Sequence, residues 1–293
     1  SGYAVRAAVR QNPLSSIESV EVGDINGETN WKSALADCDH VVHLAARVHI
    51  MSDGAENARE LYLQTNAEGT RNLARQAAEA GIKRFICLSS IKVNGEYTTD
   101  KPFTEDDQPH PQDHYAVSKL EAERALVKEC AHADMEYVII RPPLVYGLGV
   151  RANFLSLLKL VHSHLPLPLA SMKNMRSIIA LDNLVDFIGA TLVHDNAANE
   201  IFLVSDGVDV STPELINKIA NAFNQSPGLF PFPGLILKGL ASIAWKRAAF
   251  ERLQSSLQLD MTKAVELLGW QPPVSQDDAI QQTVDWFTSE IVH

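Results

Sequence analysis

The chain has 293 residues, 46% of them apolar, with 25 Lys and Arg against 36 Asp and Glu and a formal net charge of -11. That length suits about two domains, or one large α/β unit with an appended lobe, and the acidic balance without a basic run argues against a nucleic-acid surface. Cys38, Cys87 and Cys130 are far apart, with no Cys-x-x-Cys, and the ten histidines show no ligand spacing, so neither a disulfide framework nor a metal site is expected. No apolar run reaches the roughly 18 residues of a membrane span. A reducing, cytoplasmic setting without membrane or nucleic-acid partners is the expectation.

In chain order, Tyr3 to Val9 and Val20 to Val22 read as strands, the second running into Gly23-Asp24. Val41 to Leu44, Arg84 to Ser89 and Tyr137 to Ile140 are short apolar runs closed by Ala45-Ala46, Ser89-Ser90 and Arg141-Pro142-Pro143. Buried parallel strands have this form. Between them, Ala55 to Ala80 and Tyr115 to Ala131 carry apolar residues at helical spacing, the first stopping at Gly81, a natural terminator. The alternation predicts an α/β fold with a doubly wound parallel sheet. Beyond about residue 150 come a Leu165-Pro166-Leu167-Pro168 segment, a Pro/Gly/Phe-rich stretch at 227–233, and helices at Thr212 to Phe223 and Asp260 to Leu268. Residues 1–150 are read as a dinucleotide-binding domain and 151–293 as a smaller substrate lobe, with about 176–204 rejoining the main sheet. A dinucleotide fold normally opens with a strand and a Gly-x-Gly-x-x-Gly turn. Nothing of that kind precedes Tyr3, so the expectation is that the chain starts at the second strand of such a fold.

Tyr115 and Lys119 are one helical turn apart and share a face. A tyrosine hydroxyl, with a pKa of about 10, is a poor base. A neighbouring ammonium, together with an oxidised nicotinamide, favours tyrosinate, which can then take a proton from a substrate hydroxyl while hydride leaves the same carbon. Alone, Tyr-x-x-x-Lys is a weak signal; its neighbours give it weight. The pair follows a polar loop, and Ser90 ends a strand upstream. At the carboxyl end of a parallel strand a hydroxyl faces the ligand crevice, although a serine there also suits a turn or cap.

The motifs resemble those of an extended short-chain dehydrogenase/reductase of the NAD-dependent epimerase/dehydratase family, the nucleotide-sugar 4-epimerase or 4-ketoreductase type. They are His43-Leu44-Ala45-Ala46, Asn66-Ala67-Glu68-Gly69-Thr70, Ser89-Ser90-Ile91-Lys92-Val93-Asn94-Gly95, Tyr115-Ala116-Val117-Ser118-Lys119, Arg141-Pro142-Pro143-Leu144-Val145-Tyr146-Gly147, and near the end Asp260 to Ala264 with Leu268-Gly269-Trp270.

The resemblance implies roles. Tyr115 is the acid/base, Lys119 its activator and a ribose ligand, and Ser90 the second hydroxyl. Asp24 and Ile25 flank the adenine; Leu44, Ala45, Ala46, Asn66 and Ser89 line the cofactor cleft; Pro142 lies near the nicotinamide. Asn153, Arg176 and Arg252 are the candidates for the substrate's diphosphate or nucleotide, since a guanidinium grips pyrophosphate through a charged, bidentate fork. Family dehydratases carry Asp-Glu where this chain has Ile91-Lys92, which argues against dehydration. The usual tyrosine of Val-Tyr-Gly is Asn94, and Leu144 replaces a frequent asparagine.

What remains is hydride transfer at the C4 of a UDP-sugar, by a 4-epimerase or a one-way ketoreductase. A reductase of neutral hydroxy-ketones and a non-catalytic cofactor-binding regulator are the alternatives. The cofactor is NAD or NADP: Arg10, ending the first strand, suits a 2′-phosphate or solvent alike. The family further implies a homodimer paired through the Tyr115 and Ala55–Ala80 helices.

Overall fold

In the computed structural model, residues 2–11, 16–48, 57–233 and 254–292 are described. The elements in chain order are β1 (Arg6–Val9), β2 (Glu18–Glu21), α1 (Lys32–Leu35), β3 (His40–His43), α2 (Ala58–Tyr62), α3 (Gly69–Glu79), β4 (Arg84–Leu88), α4 (His114–Cys130), β5 (Glu136–Arg141), β6 (Leu144–Tyr146), α5 (Ala152–His162), β7 (Ile178–Ala180), α6 (Leu181–Val193), β8 (Glu200–Leu203), α7 (Thr212–Ala222), α8 (Thr262–Leu268) and α9 (Gln276–Phe287). They fall into two compact units.

The first unit comprises Ser1–Gly95, Asp107–Arg141 and Ala190–Phe202. Its main sheet runs β3-β4-β5-β8, with β3/β4 and β4/β5 parallel in the registers Val41↔Phe85 and Cys87↔Ile139. The first four residues of β4 are buried, as expected of a strand covered on both faces. β1 and β2 form a separate parallel pair, and Val42 and Leu44, on and just after the edge strand β3, are exposed. The fold is α/β with a four-stranded central sheet. Leu73, Ala74 and Ala77 of α3 and Leu126 of α4 pack against Phe85, Cys87 and Ile139, which is the apolar stripe that helical spacing predicts.

α3 stops where Gly81 takes a positive φ of 79°. The Gly81 and Ile82 N–H groups donate to the carbonyls of Ala78 and Ala77, the Schellman closure that satisfies the last turn. The helix expected over Ala55 to Ala80 is not continuous α. A π turn, Leu63–Glu68, joins α2 to α3; such bulges are frequent at functional sites.

The second unit comprises Glu96–Asp106, Pro142–Gly189 and Leu203–His293. Here β6 and β7 pair in parallel, and α5, α7 and α9 enclose Tyr146, Phe154, Ile216, Ile280 and Phe287. Of the 176–204 stretch expected to rejoin the main sheet, only β8 does so, beside β5; β7 pairs with β6 and α6 occupies most of the interval. α7 starts with a capping box, Ser211 and Glu214 each accepting the other's backbone N–H, which satisfies donors that a helix start otherwise leaves open.

Candidate active site

Ser90 follows β4 in extended conformation (φ -159°, ψ 144°), and its hydroxyl oxygen accepts the Lys92 N–H at 3.3 Å. It therefore caps the short helical turn Ile91–Val93. The same side chain also hydrogen-bonds Tyr115, so the cap and the contact to Tyr115 coexist.

Tyr115 lies in the first turn of α4. Asp113 is the N-cap: its Oδ1 accepts the Ala116 N–H at 2.7 Å while its Oδ2 takes the Lys92 ammonium at 2.6 Å. An N-cap carboxylate fixes a helix start and complements its dipole. The Tyr115 ring packs edge-on to Tyr62, with centroids 6.4 Å apart.

One turn on, Lys119 is 2% exposed. Among the described residues nothing hydrogen-bonds or ion-pairs with its ammonium. An ammonium on so buried a side chain gains from an oxygen ligand, and its place one turn from Tyr115 suits one such as a cofactor ribose. The exposed Leu44 and Ala45 and the half-buried Ala46, just after β3, offer small or apolar surface beside that strand end. The residues present fit the expected nicotinamide cofactor.

Burial sets the charges of this centre. It pushes the Tyr115 hydroxyl up to about 12, opposed by the Ser90 hydrogen bond. The depression expected from Lys119 does not emerge: desolvation and then the Asp113, Cys87 and Tyr62 groups raise the hydroxyl, and the Ser90 hydrogen bond lowers it by less. His43, at the end of β3, is driven down to about 3 by burial and then by the Lys119 charge. It is neutral near pH 7 and shares a 3.0 Å hydrogen bond with Thr70. Burial also raises the Cys87 thiol.

Asn66 does structural work that motif matching does not describe. From the π turn its Oδ1 accepts the Arg47 N–H at 2.7 Å, and its Nδ2 donates to the Arg47 carbonyl at 3.0 Å and to Ser118 Oγ at 2.9 Å. It ties the loop after β3 to the helix that carries Tyr115 and Lys119.

The expected adenine contacts lie together. Arg10 forms an ion pair with Asp24, both largely exposed. That pairing sets a carboxylate against the guanidinium thought suited to a 2′-phosphate. Ile25 packs on α3 where a Cβ at Gly69 would stand 2.5 Å from Ile25 Cγ2, so only glycine admits the Asp24–Ile25 loop at that depth. Ser89 faces inward, its hydroxyl donating to Glu123, and is not placed as a cleft-lining group. Pro142 is buried directly after β5.

In the second unit, Arg176 forms backbone hydrogen bonds with Val210 and donates from Nη1 to the Ser255 carbonyl at 3.0 Å; burial lowers its pKa. Asn153 is exposed on α5. Arg252 lies outside the described residues. Sequence reasoning missed Glu123 and Ser118. Both have a signal in the sequence: Glu123 continues the four-residue spacing of Tyr115 and Lys119, and Ser118 lies within the Tyr-x-x-Ser-Lys core.

A family model described as the NAD dependent epimerase/dehydratase family matches residues 1–205. The chain belongs to that family. It is 43% identical over 291 residues to a UDP-glucose 4-epimerase of Vibrio cholerae, covering 98% of this chain and 88% of the relative. Its fold resembles the structure of a UDP-glucose 4-epimerase with UDP-glucose from Thermotoga maritima (TM-score 0.74, 22% identity, 98% and 92% of the two chains). It equally resembles that of a UDP-glucuronic acid 4-epimerase from Bacillus cereus in complex with NAD (TM-score 0.74, 22% identity, 94% and 82%). Lys92, two residues after Ser90, is a cation paired with the N-cap carboxylate of the Tyr115 helix.

Proposed function

We propose that the chain is an NAD-dependent nucleotide-sugar 4-epimerase acting on a UDP-hexose. The observation that carries the reading is the meeting of Ser90, Tyr115 and Lys119 in one compact unit. It occurs in a chain 43% identical to a UDP-glucose 4-epimerase along nearly its whole length. Tyr115 takes the C4 hydroxyl proton and returns it to the inverted oxygen; Ser90 donates a hydrogen bond to that oxygen; Lys119 supplies the positive charge that favours tyrosinate. Bound NAD supplies the hydride acceptor and donor at C4. The Arg10–Asp24 pairing supports NAD over NADP, because a carboxylate suits a free ribose 2′-hydroxyl.

Asn153 and Arg176 are assigned to the nucleoside diphosphate, and Arg252 is retained as a further contact. Residues 1–150 are assigned the cofactor and the remainder the substrate. A homodimer through α4 and the α2–α3 helix, working in the cytoplasm, completes the reading; among the described residues no helix is long and apolar enough to cross a membrane. Calorimetry with UDP tests the nucleotide assignment. Saturable binding is expected, and its absence favours a hydroxy-ketone substrate instead.

A further inference from the structure

One buried ion pair beside the reactive trio has no role in the proton transfer just described. Glu123 follows Lys119 by one turn of α4, as Lys119 follows Tyr115. That spacing alone brings carboxylate and ammonium within reach. The structure turns the carboxylate elsewhere. Glu123 Oε1 accepts from Arg141 Nε at 3.0 Å and Oε2 from Arg141 Nη2 at 2.6 Å, the bidentate fork that arginine makes and lysine cannot. Oε1 also accepts the Ser89 hydroxyl. Arg141 Nη1 donates to Asn94 Oδ1 at 3.0 Å. Glu123 and Arg141 are each 3% exposed.

The geometry points to Arg141 as a positioning residue. By occupying Glu123 it withholds that carboxylate from Lys119, so that the undivided ammonium charge acts on Tyr115, and through Ser89 the same pair fixes the strand end that carries Ser90. The inference rests on the reading of Tyr115 as the proton-transfer group. Other ionisable groups facing the pair are accounted for. His43 on β3 is neutral and Cys87 on β4 is a protonated thiol, both through burial. Tyr62 on α2 is a ring contact. Asp113, on α4's own N-cap, is paired with Lys92 and raises the Tyr115 pKa in parent and variants alike.

The test is the pH dependence of UDP-glucose turnover by the full chain with NAD, for Arg141→Met, Glu123→Gln and the double variant. With Arg141→Met, Glu123 is free to capture Lys119. The acid limb of kcat, which reports Tyr115, is expected to rise by about one pH unit, a loss of about tenfold on that limb. Glu123→Gln leaves two cations near the phenol and moves the limb down. The double variant returns toward the parent, and Arg141→Lys shifts in the same sense as Arg141→Met by less. A purely structural clamp would lower kcat equally at every pH and leave the double variant no better than either single; that result overturns the inference.

Should Arg141→Met fail to fold, Glu123→Gln against the double variant carries the comparison, since the double removes both charges of the pair together. The Cζ NMR shift of labelled tyrosine, assigned with Tyr115→Phe, reads the same pKa order without substrate or cofactor. That order in a chain without turnover overturns the epimerase reading and leaves the positioning role standing. Turnover in the parent without that order does the reverse.

Discussion

Asn66 and Ser118 are joined side chain to side chain, Asn66 Nδ2 donating to Ser118 Oγ at 2.9 Å, while Ser118 itself donates to the Tyr115 carbonyl at 2.7 Å. A residue on a π turn is thereby locked to the turn of α4 between Tyr115 and Lys119. Asn66→Ala removes this bond and both bonds to the Arg47 backbone. Each buried bond contributes about 1 kcal/mol net. The expected outcome is a loss of about 2–3 kcal/mol, read as a fall in thermal midpoint of roughly 5 °C, with turnover reduced beyond what the loss of folded protein accounts for.

Tyr115→Phe removes the proton-transfer group and little volume. General acid/base groups contribute about 10²–10⁴-fold, so turnover of a UDP-sugar should fall by about that factor. Binding of UDP by calorimetry should stay within about twofold. Undiminished turnover would remove Tyr115 from the mechanism.

Gly69→Ala places a methyl against Ile25 and the Asn26 backbone. Overpacking of a close contact costs about 1–3 kcal/mol, more than alanine returns through its better helix propensity. Denaturant titration should show a lower midpoint, and cofactor affinity should fall because the Asp24–Ile25 loop must lift.

Asp206 gives a pH prediction in the second unit. Burial raises its pKa, opposed by hydrogen bonds from the Ala180 N–H, Asn183 and the Tyr146 hydroxyl. A folded-state pKa above the unfolded value of about 3.9 means that the native state binds the proton more tightly. This contribution to stability is full below the unfolded pKa and is lost as pH rises through the raised one. Asp206→Asn should therefore flatten the dependence of the denaturant midpoint on pH above about 4. An unchanged slope would show that Asp206 does not titrate differently on folding.

Much of this centre is legible in the sequence because its elements are apolar runs with a reactive residue at the end. β4 and most of β5 are buried in the central sheet, so their residues read as short continuous runs, and Ser90, Tyr115 and Lys119 fall where strand end and helix start meet. The π turn is not legible, since the sequence of Leu63–Glu68 carries no local signal that separates a π turn from an α turn. α5 is hard to read although Phe154, Leu158 and Val161 keep helical spacing, because the Pro-rich segment that follows it, Leu165 to Pro168, carries a loop signal. Glu123 and Arg141 escaped because charged residues read as surface. Only the fold shows that they saturate one another. The pairing of β7 with β6 was hidden for another reason: Ile178-Ile179-Ala180 is as apolar as any strand of the main sheet, and periodicity does not name a partner.

The central claim is inversion at C4 by hydride that leaves and returns without exchange. UDP-glucose incubated with the full chain and NAD in D2O, followed by proton NMR, tests it most directly. The account predicts UDP-galactose carrying protium at C4 and no deuterium there, since hydride held on a nicotinamide does not exchange with solvent. Absence of any galacto product at saturating NAD, or product labelled with deuterium at C4, would contradict it.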